Sequence, residues 1–427
     1  MRSPAARAIA RIVVAASLLF VSSAVPALAA QDSPAGIWVG TAQVGAQPVP
    51  FRLEISGAGD RVRGALLNGR ERSVSSSGSY ADGHLVLNFD YYANTLDATI
   101  QNGILTGTFA GHIHGIAITA QRDGKLPVAA PHPPRVAGLW TIAVDNGAKG
   151  EAAWKLRIRQ TGPNVVAVIE RIDGDTGSLY GIWRDGAFAV SHFTAAGPSF
   201  VVLRPLPDGT LQLETTAHGG GVRTFAAHRA TGLRTVALAG TDDPLHHTFL
   251  KNPGAHLGFR FPDLSGKLVS STDPEFAHKA LIVSIGGSWC PNCQDEAPFL
   301  ESLYRRYHGR GLTIVELSFE EASQRQNPVR LRAVIRRYGI TYPVLLAGTP
   351  DKLAATFPQV ANLNCWPTTF FIGRDGRVTA IHTGYEGPAT GGDNRQLEAE
   401  MTAQVEQLLA ARTPPARGST VQVARVR

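Results

Sequence analysis

The feature of the sequence that most limits its fold is a pair of cysteines placed directly after a short apolar run. Residues 281–285 suit one buried strand, and Cys290 and Cys293 follow in a Cys-x-x-Cys pattern where a helix is predicted to begin. The unpaired backbone N–H groups of a first helical turn stabilise a thiolate. The pattern therefore predicts that Cys290 is an exposed nucleophile and that Cys293 resolves the mixed disulfide formed on it.

The chain has three cysteines, Cys290, Cys293 and Cys365. A zinc site usually takes four ligands in recognisable pairs, and no second pair accompanies the Cys-x-x-Cys pattern. We therefore expect a redox-active disulfide between Cys290 and Cys293, with no other cofactor and no metal. Four interpretations of Cys365 stay open: it traps a mixed disulfide, relays electrons as a third thiol, completes a copper site with the other two thiols, or is a small buried residue.

Residues 253–412 alternate between patterns typical of strands and of helices. Strands are predicted at residues 281–285, 312–317, 342–346 and 368–372, and helices at residues 298–310, 328–338 and 395–411. Such alternation is typical of a central sheet flanked by helices, so the sequence predicts an α/β domain at this end of the chain.

The residues before this domain contain two similar segments with the two-residue alternation of β-strands. Residues 36–124 and 136–230 each begin with Gly-x-Trp, at Trp38 and Trp140, and continue as alternating runs separated by Asp-Gly or Asn-Gly turns. We expect a multidomain chain in which two tandem antiparallel all-β domains precede the α/β domain. A proline-rich linker at 125–135 and a second linker at 231–252 would separate the three. Four tryptophans are expected to fill the β cores: Trp38, Trp140, Trp154 and Trp183.

The two ends of the chain predict export and a disordered tail. Residues 1–29 combine basic residues, an apolar run and a small-residue cleavage site, the layout of a secretory signal peptide, so a periplasmic location is expected. Residues 413–427 are predicted to be disordered. Arginines near the two ends account for the whole excess of basic residues over the 34 acidic ones, so no nucleic-acid partner is expected.

Two pairs of closely spaced histidines carry side chains of a type that binds metal ions. His246 and His247 fall in the second predicted linker, and His112 and His114 are expected to alternate along a strand. Spacing places no acid or thiol beside either pair, so solvated or packing roles are predicted for both.

Several motifs resemble the exported TlpA/ResA-type thiol-disulfide oxidoreductases of the thioredoxin-like fold. They are Trp289-Cys290-Pro291-Asn292-Cys293 with Glu296 and Pro298, Trp366-Pro367-Thr368-Thr369-Phe370-Phe371-Ile372, and Phe261-Pro262-Asp263-Leu264-Ser265-Gly266-Lys267. The resemblance covers about residues 255–412, and it implies a thioredoxin-like fold for the α/β domain.

The resemblance also implies roles for single residues. Pro367 would follow a cis peptide bond that brings its loop against the two sulfurs. Glu296 would handle the proton that Cys293 loses, or would be an ordinary acid in the first helical turn. Trp289 would form a flat surface beside the sulfur, or pack in the core. Contacts with the substrate would come from four residues: Trp289, Pro291, Trp366 and Pro367.

The expected function is that of an exported thiol-disulfide oxidoreductase. The resemblance implies a reductase of disulfides in partner proteins that is recharged by a membrane thiol transporter, while oxidase and isomerase activity stay open. Two other functions stay open as well. One is a binding protein whose β repeats recognise a partner, a glycan or a small ligand beside an accessory thioredoxin-like domain, and the other is a copper chaperone that uses all three thiols.

Overall fold

The computed structural model describes residues 33–144, 147, 149–216, 221–230 and 243–411. The predicted signal peptide, the predicted tail after residue 412 and most of the predicted linker at 231–252 lie outside the described residues. We call the described parts the first β region (residues 36–122), the second β region (138–229) and the C-terminal region (243–411). None of the helices in the described ranges combines the length and the apolar character that crossing a membrane requires.

The first β region is one nine-stranded antiparallel sheet. Its strands are β1 (Gly36–Val44), β2 (Gln47–Ser56), β3 (Arg63–Asn68), β4 (Glu71–Val74), β5 (Ser77–Ala81), β6 (His84–Phe89), β7 (Asn94–Gln101), β8 (Ile104–Gly111) and β9 (Ile116–Arg122). They are ordered β4-β3-β2-β1-β9-β8-β7-β6-β5. Side chains alternate between core and surface, so that Val49, Phe51, Leu53 and Ile55 of β2 are buried and their neighbours are not.

The second β region closes into a barrel. Its strands are β10 (Gly138–Ala143), β11 (Ala153–Thr161), β12 (Asn164–Arg171), β13 (Gly174–Asp175), β14 (Leu179–Arg184), β15 (Ala187–Thr194), β16 (Gly197–Pro205), β17 (Leu211–Thr216) and β18 (Val222–Arg229). The order is β11-β10-β18-β17-β16-β15-β14-β12-β13, and β11 also pairs with β12, so eight strands form a ring. The short strand β13 pairs only with β12 in this sheet and leaves the ring.

The two β regions share one buried tryptophan arrangement. The indole nitrogen of Trp38 donates a 2.9 Å hydrogen bond to the carbonyl of Pro34, and the Arg122 guanidinium lies 5.0 Å from the ring centroid. In the second region Trp140 makes the same 2.9 Å bond to a carbonyl four residues earlier, and Arg229 lies 4.4 Å from its ring. These two tryptophans occupy the cores as predicted, whereas the other two, Trp154 and Trp183, are only partly buried.

The C-terminal region combines α-helices with a central mixed sheet. Its elements are β19 (Phe249–Leu250), β20 (Arg260–Pro262), β21 (Leu268–Ser270), β22 (Ala280–Gly286), α1 (Pro291–Tyr307), β23 (Leu312–Phe319), α2 (Ala322–Gln326), α3 (Val329–Tyr338), β24 (Val344–Gly348), α4 (Leu353–Thr356), β25 (Val360–Ala361), β26 (Thr368–Ile372), β27 (Val378–Thr383) and α5 (Gly392–Ala410). The main sheet has the order β24-β23-β22-β26-β27, with β22 parallel to β23 and antiparallel to β26. Every residue of the central strand β22 is buried, in agreement with the apolar run that predicted it.

Two predicted boundaries differ from the structure. Helix α1 begins at Pro291, where the Cys-x-x-Cys pattern predicts a helix start, and not at residue 298, where the helical spacing begins, because Cys290 caps the helix and proline is well suited to its first position. The end of the predicted second linker is ordered, since β19 pairs with β25. This pairing ties the chain that enters the C-terminal region to the segment that precedes the Pro367 loop.

Candidate active site

The two cysteines lie at the start of α1, at the end of the most buried strand of the region. Cys290 is the N-cap residue, and its sulfur accepts a hydrogen bond of 3.2 Å from the backbone N–H of Cys293. This bond is the means by which a first helical turn stabilises a thiolate. All three cysteines are free thiols. Burial is the main cause that raises the pKa of Cys293 well above its ordinary value, and its hydrogen bond with Cys290 adds to it.

The Pro367 loop closes over the first thiol. The Trp366–Pro367 peptide bond is cis, and the thiol of Cys290 lies 3.7 Å from the carbonyl oxygen of Trp366. The ring of Trp289 meets the Trp366 ring edge-on at 5.3 Å, and its indole nitrogen donates to the Phe319 carbonyl. Trp289 stays partly exposed beside the sulfur, so it has both the surface and the packing contacts that the sequence left as alternatives.

Glu296 lies inside the protein, one turn beyond Cys293. Its residue surface is 1% exposed, and its carboxyl oxygens accept hydrogen bonds from the hydroxyls of Ser284 (3.0 Å) and Thr369 (2.7 Å). Burial raises the pKa of Glu296 to about 7. A carboxyl that titrates near neutrality can both accept and return a proton under ordinary conditions, as the proton-transfer role of Glu296 requires. A solvated first-turn acid would not have these contacts.

A second carboxyl, that of the half-buried Glu316, was not identified from the sequence. It lies in β23, and burial together with repulsion from Glu320 and Glu296 raises its pKa to about 8. Its signal in the sequence was available, since it is the single charged residue within the predicted strand 312–317. A charged residue inside a central strand is uncommon unless it is paired or functional.

An ion pair fixes the chain just before the cysteines. The Glu320 carboxylate accepts hydrogen bonds of 2.7 Å from both the backbone N–H and the hydroxyl of Ser288, and it pairs with Arg330 at 2.9 Å. Arg330 is 1% exposed and also contacts the ring of His112. The prediction that His112 lies along a strand with no nearby acid is wrong, because the chain leaves β8 at Gly111 and turns His112 toward this pair and toward Glu321.

Cys365 is buried in different surroundings from the pair. Its sulfur lies 3.7 Å from Nε2 of His247 and 3.3 Å from Oδ1 of Asn364. The prediction that His247 has no thiol beside it is therefore wrong, because β19 carries the predicted linker against the Pro367 loop. Burial raises the pKa of Cys365 to about 12. Within the described ranges, no group of three or more His, Cys, Asp or Glu side chains is arranged to hold a metal ion.

The prediction that Cys290 is exposed is wrong for this structure, in which it is 4% exposed. The turn between β12 and β13 reaches from the second β region onto the start of α1. The side-chain amide of Asn292 donates a 2.8 Å hydrogen bond to the carbonyl of Asp173. Gly174 then bridges to Tyr385, which follows β27. The sequence had no signal for this contact, because it joins residues that are far apart in the chain.

Further hydrogen bonds join each of the two β regions to the C-terminal region. The Asp175 carboxylate accepts a 2.6 Å hydrogen bond from the backbone N–H of Gly387. From the first β region, the carbonyl of Tyr91 accepts a 2.8 Å hydrogen bond from the side-chain amide of Gln294 in α1. Both β regions therefore touch the helix that carries the two cysteines.

A model of the AhpC/TSA family matches residues 255–381. The thiol-disulfide oxidoreductase ResA of Bacillus anthracis is 28% identical over 120 residues, which are 28% of this chain and 62% of the relative. The thioredoxin-like protein YneN of Bacillus subtilis is 28% identical over 158 residues, which are 36% of this chain and 88% of YneN. The chain thus spans less than two thirds of the ResA relative.

Solved structures also match this part of the chain. A crystal structure of a putative thiol:disulfide interchange protein DsbE from Chlorobium tepidum is 18% identical and covers 36% of this chain and 98% of its own, with a TM-score of 0.29. The family match, the sequence relatives and the sheet order agree on the part of the chain concerned. The C-terminal region is a TlpA/ResA-like domain of the thioredoxin-like fold.

Proposed function

We propose that this protein is an exported thiol-disulfide oxidoreductase whose working couple is the dithiol and disulfide of Cys290 and Cys293. One observation carries the proposal. The Cys290 sulfur at the helix N-cap accepts a hydrogen bond from the backbone N–H of Cys293, and the buried carboxyl of Glu296, whose pKa is about 7, lies in the same site. This combination supplies a nucleophile, a resolving thiol and a place for the proton.

In the proposed reaction, the Cys290 thiolate attacks a disulfide sulfur of a partner protein and releases one partner thiolate. The Cys293 thiol passes its proton to the Glu296 carboxylate and attacks the Cys290 sulfur. The mixed disulfide breaks, the second partner thiolate leaves with the electron pair, and both partner thiolates take up protons. The partner is reduced by two electrons, and the protein holds the Cys290–Cys293 disulfide.

We propose reduction of partner proteins as the direction, with a membrane thiol transporter as the electron donor and the periplasm as the location. The resemblance of the Trp289–Pro298 motif to TlpA/ResA-type proteins supports the direction and the donor. The layout of residues 1–29 supports export. The ResA relative is named as a thiol-disulfide oxidoreductase, which fits either direction.

A redox titration of the mature protein tests the proposal. The protein is equilibrated in glutathione or dithiothreitol buffers, its thiols are alkylated, and the modified cysteines are identified by mass. We expect a two-electron Cys290–Cys293 couple near ~−270 mV, whereas a couple near ~−120 mV would make the protein an oxidant. Cys365→Ser is the matched control, because it removes a thiol and leaves the couple intact.

The titration together with two further measurements separates the two alternative functions. If Cys290 and Cys293 never cycle, and Cys290→Ser leaves the biological role intact, the β regions carry the function as a binding module. If the reduced protein retains one Cu(I) per chain, and Cys365→Ser abolishes this, the copper chaperone is supported instead. The distinct surroundings of Cys365 favour the disulfide couple over that copper site.

A further inference from the structure

Ser288 lies two residues before Cys290, and all of its hydrogen-bonding groups are engaged. Its N–H and its hydroxyl both donate to the Glu320 carboxylate at 2.7 Å. The hydroxyl also accepts a 2.7 Å hydrogen bond from Nε of Arg330, and the backbone carbonyl accepts one of 2.8 Å from the side-chain amide of Gln294. The chain that leads into the thiol is therefore held from α1, from α3 and from the residue that follows β23.

The guanidinium of Arg330 joins three parts of the chain. Its Nε binds Ser288, and its Nη2 binds the carboxylates of Glu320 and Glu321. Its Nη1 lies 3.1 Å from Nδ1 of His112, in the loop after β8 of the first β region. Burial and the charge of Arg330 lower the pKa of His112, so the neutral ring accepts this hydrogen bond. Because a guanidinium is planar and rigid, a shift at one of these contacts moves the others.

The ion pair of Arg330 and Glu320 is better suited to fixing a geometry than to stabilising the fold. The two residues are 1% and 0% exposed, and taking two charges out of water costs free energy that offsets much of their attraction. The geometry that the pair fixes is that of the chain entering α1. Cys290 has the extended backbone of a helix N-cap, with a φ of −89° and a ψ of 117°. A side chain at an N-cap reaches the backbone N–H of Cys293, three residues on, because the chain is extended there.

We propose that Arg330 is a positioning residue for the Cys290 thiolate and that His112 of the first β region keeps Arg330 in place. The inference rests on the proposed function and deepens it, because it gives the first β region a part in preparing the nucleophile. With Ser288 held, the Cys290 sulfur stays at the N–H of Cys293, and the thiolate keeps its donor. With Ser288 released, the sulfur is without that donor for part of the time, and the reactive thiolate is less abundant.

The test is the rate at which iodoacetamide alkylates Cys290 in the reduced full-length protein between about pH 5 and 10, read by mass for each cysteine. The pH at which this rate is half-maximal reports how well the site stabilises the thiolate. Arg330→Lys keeps the positive charge and replaces a fork of three nitrogens by a single nitrogen. We expect it to raise the half-maximal pH by about one unit, which is about tenfold less thiolate at neutral pH. Because the charge is retained, a weaker attraction between charges does not explain such a shift.

A second variant acts on Arg330 from the first β region. His112→Phe keeps a ring of similar shape and removes the acceptor for Nη1 of Arg330. The His112 side chain is 33% exposed, so the substitution leaves the core intact. We expect the half-maximal pH to rise by about half a unit. His114→Phe is the matched control, because His114 is an exposed histidine of the same loop, and no shift is expected.

A merely structural role would show in stability and not in the pH profile. Glu301→Gln is the control for this, because Glu301 is also buried in α1 but binds Thr341 and Arg305. We expect this variant to unfold at a lower urea concentration and to keep the half-maximal pH of the wild type. Formation of the disulfide with oxidised glutathione is measured on the same samples. In Arg330→Lys it should slow by about threefold at pH 7, because the thiolate is scarcer but more nucleophilic.

A wild-type profile in Arg330→Lys would overturn the inference, since charge alone would then suffice, and so would equal shifts in His112→Phe and His114→Phe. In both cases the wild type still cycles, and the proposed function stands. If Cys290 and Cys293 of the wild type never form a disulfide, the proposed function itself fails. If Arg330→Lys does not fold, the comparison of His112→Phe with His114→Phe decides alone. Shifted profiles in Arg330→Lys and His112→Phe, with unchanged profiles in both controls, support the inference.

Discussion

The β regions and the C-terminal region bury polar groups in different ways. In the β regions, buried amides such as those of Asn68 and Asn94 bind the carbonyls of Phe193 and Ala195, so they join one β region to the other. Both parts bury carboxyls, but those of the β regions, Glu151, Glu170 and Asp175, bind basic side chains or N–H groups, whereas Glu296 beside Cys293 binds the hydroxyls of Ser284 and Thr369. Buried carboxyls stabilise a fold poorly unless they are paired. The carboxyl beside Cys293 is therefore a candidate for a role in a reaction at the thiols.

The largest effect is expected when the charge of Glu296 is removed. Glu296→Gln keeps the shape and the contacts with Ser284 and Thr369 but cannot accept a proton. We expect formation of the Cys290–Cys293 disulfide to slow by about 100-fold at pH 7.5, and the rise in rate of the wild type through about pH 7 to disappear. The measurement is acid-quenched single turnover with oxidised glutathione, read by mass. An unchanged pH profile would make Glu296 a structural residue.

The contact between the β12–β13 turn and the start of α1 is tested at Gly174. This glycine has a φ of +123°, and a Cβ there would lie 2.4 Å from both the Asn292 amide nitrogen and the Tyr385 carbonyl oxygen. Gly174→Ala should push the turn off α1, break about 1.4 kcal/mol of contacts and raise the rate of Cys290 alkylation about 10-fold. Gly209→Ala is the control, because Gly209 also has a positive φ but opens onto free space. Equal rates in the two variants would show that the turn does not limit access.

A smaller effect is expected in stability. Burial raises the pKa of Glu296, so the folded state holds a proton that the unfolded state releases. This contribution is fully present below about pH 4.5 and is lost as the pH rises through about 7, and the loss is about 3 kcal/mol by pH 8.5. Glu296→Gln should therefore be more stable than the reduced wild type at pH 8.5 but not at pH 4.5. Urea unfolding at the two pH values measures this difference, and Glu301→Gln should not reproduce it.

The smallest effect is expected at Cys365. Its thiol contacts His247 and Asn364, and its raised pKa leaves it protonated at neutral pH. Cys365→Ser should change the rate of disulfide formation by no more than about twofold. A larger loss, or a mixed disulfide trapped on Cys365, would show that the third thiol takes part in the reaction.

The sequence predicted the reactive part of the molecule better than its surroundings. The strand before Cys290, the helix after it and the acid at Glu296 follow local rules, namely apolar runs, helix starts and spacing within one turn. Glu316 was missed although its signal was local, because one acid in an apolar strand has several explanations. The contacts of Asp173 with Asn292 and of Gly174 with Tyr385 had no local signal, since contacts between distant segments depend on how whole layers pack.

The turn over Asn292 has a further consequence for the choice of substrate. A partner that binds the start of α1 has to displace this turn, and a segment held by a short tether has an effective concentration on the order of millimolar. A partner that displaces it must bring comparable binding energy from its own backbone and side chains. Binding at this end of α1 is therefore a competition between the partner and a segment of the same chain.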